Sequence, residues 1–170
     1  MRKFIALSIF AILTACGSGG YSFTGGDVGN AKTISVDFFP NYAPIVEPTL
    51  SQTFTEALRD IFVRQTSLEL VERGGDLHFE GTITGYDVKP INAQSGSDNI
   101  GGGTAANRLT ITVNVIYTNK LEEKKSFEQN FSRFADFDAN VDLSQASATL
   151  IEQITTELAE NILNQSIGSW

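Results

Sequence analysis

The stretch from Asn107 to Asn119, NRLTITVNVIYTN, constrains the fold more than any other part of the chain. Every second residue in it is apolar: Leu109, Ile111, Val113, Val115 and Tyr117. This period of two is typical of a β-strand with one face in a core and the other toward water. At about 3.3 Å per residue such a strand runs roughly 40 Å. The sequence therefore predicts a sheet with one buried face.

Three further stretches have a strand pattern. Residues 33–39 (TISVDFF) place Ile34, Val36 and Phe38 on one face. In residues 76–88 the apolar positions are Leu77, Phe79 and Ile83 and then, out of phase, Tyr86 and Val88, which predicts a bulge near Gly85. Residues 125–137 (KSFEQNFSRFADF) direct Phe127 and Phe131 inward, with a phase break near Phe134. A short apolar stretch at residues 68–71 could pair before the second of these strands.

Two stretches have a helical period. From Pro48 to about Gln65 the apolar residues recur in steps of three and four, and Thr49 with Gln52 could form a capping box. A second stripe runs from Leu143 to about Gln165, where Asp142 or Ser144 can cap the first turn. The element order is strand, helix, three strands, helix. We therefore predict an α+β fold for residues 32–170, with two helices packed on a mixed, mostly antiparallel four-stranded sheet.

The connector at residues 90–106, PINAQSGSDNIGGGTAA, is longer than the two to five residues that a hairpin needs. Long loops without periodicity are usually functional or disordered. Two interpretations follow from this length: the connector contacts a partner, or it is a tolerated insertion.

The N-terminus predicts export and lipidation. Arg2 and Lys3 precede an apolar run at residues 4–13, which is too short to span a bilayer but suits a signal peptide over residues 1–15. Leu13-Thr14-Ala15-Cys16 resembles a bacterial lipobox, in which the cysteine is acylated and becomes the first mature residue. Cys16 is the only cysteine of the chain, and residues 16–31 are rich in glycine like a tether. The alternative is a cysteine that happens to follow an ordinary export signal.

Charge and motifs exclude several functions. The net charge is −8, and removal of Arg2 and Lys3 with the signal peptide makes it −10, which argues against nucleic-acid binding. His78 is the only histidine and has no cysteine partners, so a zinc site is improbable and His78 is read as a solvated or hydrogen-bonded strand residue. The glycines at 101–103 lack the Lys-Ser/Thr of a phosphate loop. Asp136 and Asp138 are read as solvated acids at a strand end. We therefore expect no enzyme activity, and no cofactor other than covalent lipid, such as palmitate, on Cys16.

The folded part carries a family resemblance. The segments VDFFPNYAP, PTLSQTFTEALRDIFVRQTSLELV, GDLHFEGTITGYDVKP, NRLTITVNVIYTN and FSRFADFD, after a lipobox, resemble the lipopolysaccharide-assembly lipoprotein family LptE in its Bacteroidetes-type form. Members of that family have two helices on a four-stranded sheet and plug the lumen of LptD, a large outer-membrane β-barrel. The resemblance implies that the chain helps to assemble an LptD-like barrel and takes part in lipopolysaccharide transport to the outer leaflet.

Lipopolysaccharide is anionic, so its binding by an acidic chain would require a local basic patch. The basic candidates near strand ends or turns are Lys89, Arg108, Lys120, Lys124, Lys125 and Arg133. They could equally be ordinary solvated charges, and no motif match links them to the lipid-binding residues of the family. The resemblance places the protein at the outer membrane, anchored by its lipid, on the periplasmic side and in the barrel lumen. The alternative function is a periplasm-facing envelope lipoprotein that serves as another assembly factor or binds a small ligand.

Overall fold

The computed structural model describes residues 28–45, 47–93 and 104–168. The predicted signal peptide, Cys16 and most of the predicted tether lie outside these residues. The strands are β1 (Thr33–Val36), β2 (Glu69–Leu70), β3 (Leu77–Ala93), β4 (Thr104–Asn119) and β5 (Phe127–Asp138). The helices are α1 (Leu50–Gln65) and α2 (Leu143–Ile167), and a 3₁₀ turn spans Glu123–Lys125. The predicted α+β fold and the order of its helices and strands are confirmed.

The sheet has the strand order β2-β1-β3-β4-β5. It is mixed, because β1 runs parallel to both neighbours while β3, β4 and β5 are antiparallel. The sheet has five strands, so the prediction of four was one short. The additional strand, β2, contains two exposed residues that pair with Thr33 and Ile34. Two residues are too few to show a period, although the apolar stretch that contains them was recognised as able to pair.

Both helices pack on one face of the sheet, and the core lies between these layers. All five apolar residues predicted to face inward from β4 are at most 1% exposed. The bulge in β3 is also confirmed, since the register with β4 shifts between Ile83 and Gly85 and Tyr86 is buried after it. The apolar patterns of β3 and β4 therefore predicted correctly which side chains of these two strands are buried.

Two phase predictions were wrong. Phe38 is 59% exposed, whereas Phe39 is fully buried, because β1 ends at Val36 and the alternation does not continue past it. Phe39 instead packs edge-on against Phe54 of α1, with ring centroids 5.1 Å apart. The predicted phase break near Phe134 is absent, because β5 pairs with β4 in continuous register and simply directs Phe134 to the other face.

The helix ends match the predictions in part. Asp142 caps α2, and its carboxylate accepts a hydrogen bond from the Ser144 amide at 2.8 Å. The capping box at α1 was wrong, because Thr49 already has helical backbone angles and its hydroxyl donates to Glu47. Gln52 donates its amide to Glu56, one turn further along the helix.

The connector is shorter than the pattern suggested, because β3 continues to Ala93 and β4 begins at Thr104, its register partner. Residues 94–103 therefore join the two strands, and they lie outside the described residues. Among the residues that the structure describes, neither helix is long and apolar enough to cross a bilayer.

Candidate functional site

The side of the sheet opposite the helices is polar, and we call it the open face. Its side chains alternate with the core residues of the three long strands. The members used below are Glu80, Lys89, Arg108, Thr112, Asn114, Glu128, Asn130, Ser132, Phe134 and Asp136. Those on the edge strand β5 are exposed, and Thr112 and Asn114 on the inner strand β4 are partly buried. The open face is therefore a broad polar surface with acidic, basic and uncharged side chains, and it carries the exposed ring of Phe134.

Cross-strand hydrogen bonds hold the centre of the open face. The hydroxyls of Thr112 and Ser132 lie 3.1 Å apart, and the Asn114 amide donates to the Asn130 carbonyl oxygen at 3.2 Å. The pairs are in direct register between β4 and β5. Such pairs order side chains on a sheet surface and leave further donors and acceptors for a partner or for water.

One end of the open face carries an ion pair stacked on a ring. Arg108 donates two hydrogen bonds to the Asp136 carboxylate, at 2.7 and 2.9 Å, and its guanidinium lies 3.7 Å from the Phe134 ring centroid. These bonds from Arg108 lower the pKa of Asp136. Lys89 is the register partner of Arg108 on β3, so the structure brings two of the predicted basic residues together. Sequence reasoning missed the stacking of Phe134 under Arg108, since it took Phe134 only as a sign that the strand alternation is interrupted.

A groove of about 460 Å³ lies at the opposite end of the sheet. Its apolar lining includes Val28, Leu77, Tyr117, Phe127 and Ile167. Lys124 and Lys125 line it as well, next to the end of β4. The lining also contains the polar residues Asn119, Ser126, Gln165 and Ser166. This second pair of predicted basic residues therefore borders a groove of mixed polar and apolar lining.

The two remaining predicted basic residues, Lys120 and Arg133, do not line the groove. Lys120 donates to the carbonyl oxygen of Gly74 at 2.9 Å. Arg133 is on the helix-facing side of β5 and donates to Asn161 of α2 at 2.6 Å. Lys125 also contacts the Glu122 carboxylate at 2.8 Å. The six candidates thus do not form one continuous patch, and their role in binding lipid stays a prediction.

His78 lies near the β1 side of the open face and is a hydrogen-bonded strand residue, as predicted. Its Nδ1 is 2.9 Å from the hydroxyl of Ser35, which is fully buried, and its Nε2 is 3.8 Å from the Asp37 carboxylate. The Ser35 oxygen also accepts a hydrogen bond from the Gly75 amide. A fully buried hydroxyl cannot attack a substrate, so these three residues do not make a hydrolytic triad.

Ser35 and Asp37 were missed by sequence reasoning, because they lie about 40 residues before His78 and reach it only through the parallel pairing of β1 with β3.

The two acids predicted to be solvated, Asp136 and Asp138, are exposed but also accept hydrogen bonds from nearby residues. Asp136 pairs with Arg108, and Asp138 accepts from the Asn140 amide at 2.8 Å.

Solved structures with the same fold include two of very low sequence identity. A minor lipoprotein from Acinetobacter baumannii is 12% identical, with a TM-score of 0.51, and the match covers 79% of this chain and 91% of that one. The hypothetical protein CT253 from Chlamydia trachomatis is 7% identical, with a TM-score of 0.52 over 82% of this chain and 99% of that one. At these identities the likeness concerns the fold. A search of curated proteins finds no match.

A model of one protein family matches most of the chain. It describes the lipopolysaccharide-assembly family LptE and matches residues 31–166, from the residues just before β1 almost to the end of α2. The match spans every strand, α1, and all of α2 except its last residue. The chain therefore belongs to the lipopolysaccharide-assembly family LptE.

Proposed function

We propose that this protein is an acylated outer-membrane lipoprotein that plugs an LptD-like β-barrel, helps it to assemble, and takes part in lipopolysaccharide transport to the outer leaflet. Cys16 carries the lipid and is the sole membrane attachment in this proposal. The role is one of binding and assembly, without catalysis. Membership of the LptE family supports the role in lipopolysaccharide assembly. The barrel partner, the lumen and the outer membrane are the additional steps of the proposal.

The observation that carries the plug role is the open face. Wide barrels have polar interiors, and the open face offers an ordered row of hydroxyls and amides on β4 and β5. Such a surface exchanges hydrogen bonds with water for hydrogen bonds with a polar wall at little cost. An apolar sheet face would instead have to be covered by another layer of the same domain.

Copurification tests this proposal. The tagged full-length chain is extracted from outer membranes in mild detergent, and we expect it to recover one very large β-barrel protein. Ser132→Trp places bulk on the exposed part of the open face, and should lower barrel recovery without lowering the melting temperature. Gln153→Trp is the matched control, since Gln153 is exposed on α2.

Recovery of no barrel by the parent chain would refute the plug role. Equal loss of barrel with both tryptophan variants would show that the open face has no special part in the contact.

For lipopolysaccharide we propose contact at the groove bordered by Lys124 and Lys125. Two ammonium groups beside the apolar side chains of a mixed lining suit a phosphorylated lipid, since its phosphates attract cations and its acyl chains attract apolar groups. The double variant Lys124→Gln/Lys125→Gln should reduce photocrosslinking of the detergent-solubilised chain to lipopolysaccharide, while Lys89→Gln at the other end of the sheet should not. The reverse order of effects would move the lipid site to the Arg108 end.

The same groove supports the second candidate function, a periplasm-facing envelope lipoprotein that binds a small ligand. Its volume of about 460 Å³ lies within the usual range for small-molecule sites. This function predicts that the chain is recovered from membranes without a barrel but with a bound small molecule, which mass spectrometry of the native protein would detect.

A further inference from the structure

We propose that Asp37, His78 and Glu80 form a binding site for a divalent transition-metal ion, with Zn²⁺ as the probe. One imidazole nitrogen and two carboxylate oxygens of these residues all lie within 4.8 Å of one another. The site lies at the β1 side of the open face, away from the hydroxyls and amides of β4 and β5 that the plug role uses. Metal binding there does not depend on the proposed function.

The fold explains how these three residues meet. His78 and Glu80 are two positions apart on β3, so their side chains leave the sheet on the same face. Asp37 follows β1, and its amide donates to the Phe79 carbonyl oxygen at 2.9 Å, which holds it beside both. Sequence alone shows one histidine beside one acid, which is too little for zinc. The parallel pairing of β1 and β3 adds the third ligand.

The distances suit a metal after small side-chain rotations. A tetrahedral zinc ion with bonds of about 2.0–2.2 Å holds its ligand atoms roughly 3.3–3.6 Å apart. His78 Nε2 is already 3.8 Å from Asp37 Oδ2. Asp37 and Glu80 are exposed and His78 is partly buried, so both carboxylates have room to turn and an ion can enter from solvent. Imidazole with two carboxylates also neutralises a divalent cation.

Ser35 fixes the imidazole from below. Its hydroxyl is fully buried and lies 2.9 Å from His78 Nδ1, while the Gly75 amide donates to the same oxygen at 3.1 Å. In the tautomer with the proton on Nδ1, the Nδ1–H group donates a hydrogen bond to the Ser35 oxygen. The lone pair of Nε2 then points toward Asp37. Hydrogen bonds of this kind orient metal-binding histidines in proteins. Ser35 is a positioning residue in this proposal and does not touch the ion.

One charge opposes binding. Arg73 lines the groove that contains Asp37 and His78, and its guanidinium disfavours a nearby cation. Arg73→Gln should therefore bind zinc at least as tightly as the parent chain. A bound ion would tie the end of β1 to β3, a pair that shares only three register positions.

The test uses the full-length chain in detergent, with a histidine-free affinity tag and ¹⁵N-labelled histidine. Because His78 is the only histidine, its imidazole gives one set of NMR signals, which no zinc bound at Cys16 would imitate. We expect zinc to change the Nε2 signal in a saturable way while Nδ1 remains protonated. Asp37→Asn and Glu80→Gln should each weaken zinc binding at least about tenfold, and Ser35→Ala should also weaken it. Glu128→Gln removes an acid from the open face of β5 and should have no effect.

Melting curves without metal establish that each variant is folded before its zinc affinity is compared. An unchanged His78 spectrum at millimolar zinc would overturn the proposal. So would a saturable change that Glu80→Gln and Asp37→Asn leave as tight as in the parent, since the ion would then be bound by His78 without these carboxylates.

Discussion

Gly81 shows how one residue controls the contact between two strands. A Cβ atom at this position would meet the backbone carbonyl oxygen of Asn114 and would lie 2.7 Å from the Phe39 ring. Neither neighbour can yield easily, because Asn114 is on β4, which is paired on both sides, and Phe39 is fully buried. We expect Gly81→Ala to lower the free energy of unfolding by about 2–3 kcal/mol, as other overpacking changes do. Denaturant unfolding measures this loss.

Thr82→Ala, at the neighbouring position of β3, is the matched control and should change stability much less. Similar losses in the two variants would mean that the close approach at Gly81 is relieved without cost.

Asp76, the residue before β3, connects β3 to the start of β1. Its carboxylate accepts hydrogen bonds from the amides of Lys32 and Thr33, at 2.9 and 3.0 Å, and these bonds lower its pKa below the usual 3.8. The charged form is favoured in the folded state, so the stabilisation is complete above pH 3.8 and is lost as the pH falls through the folded pKa. Asp76→Asn should therefore melt at a lower temperature than the parent at neutral pH.

The pH profile checks the sign of this effect. The gap in melting temperature between parent and Asp76→Asn should narrow as the pH falls below 3.8. A gap that stays constant down to strongly acidic pH would show that the carboxylate charge contributes nothing.

Among the elements, β4 gives the sharpest contrast between its two faces. Ile111 is fully buried, and Thr112 beside it reaches the open face. Ile111→Asn removes apolar packing and buries an amide among apolar groups, so we expect a loss of about 3 kcal/mol or more. Thr112→Asn exchanges one polar side chain for another and should cost less than about 1 kcal/mol. Equal unfolding midpoints for the two variants would place the strand in the opposite phase.

The β3–β4 connector can be replaced without disturbing either strand. Ala93 and Thr104 are register partners, so Asn-Gly in place of residues 94–103 makes a two-residue hairpin. The shorter loop should raise stability by about 1 kcal/mol through its lower closure entropy. If the connector contacts the barrel, this variant recovers less barrel on copurification although it is more stable. Full barrel recovery would support the interpretation as a tolerated insertion.

The elements also show what a sequence can predict here. Long periodic segments, such as β4 and the α2 stripe, determine their own buried faces, and the β3 bulge is visible as a phase shift. Short or interrupted segments do not: β2 has two residues, and Phe38 and Phe39 exchange places once β1 ends. The cluster of Asp37, His78 and Glu80 depends on pairing between distant strands, which local periodicity does not contain. The positions of the six basic candidates depend on strand register in the same way.

At the scale of the whole molecule, the proposed lipid on Cys16 is the feature with the clearest test. Cys16→Ala should abolish acylation and release a soluble form into the periplasm, because the proposal assigns membrane attachment to this lipid. Metabolic labelling with a fatty-acid analogue and fractionation of the cells measure both effects. Acyl label that persists in the variant would refute the lipobox interpretation.

The position of β1 has a mechanical consequence. The chain enters the sheet at Thr33, and β1 is an inner strand held between β2 and β3. Any pull on the N-terminal segment therefore reaches the Asp76 carboxylate and the parallel ladder first, and a pull along β1 would load these bonds in shear rather than open them one at a time. A pull on the proposed lipid anchor would therefore act on the short ladder of β1, which shares two register positions with β2 and three with β3, and would leave the edge strand β5 unloaded.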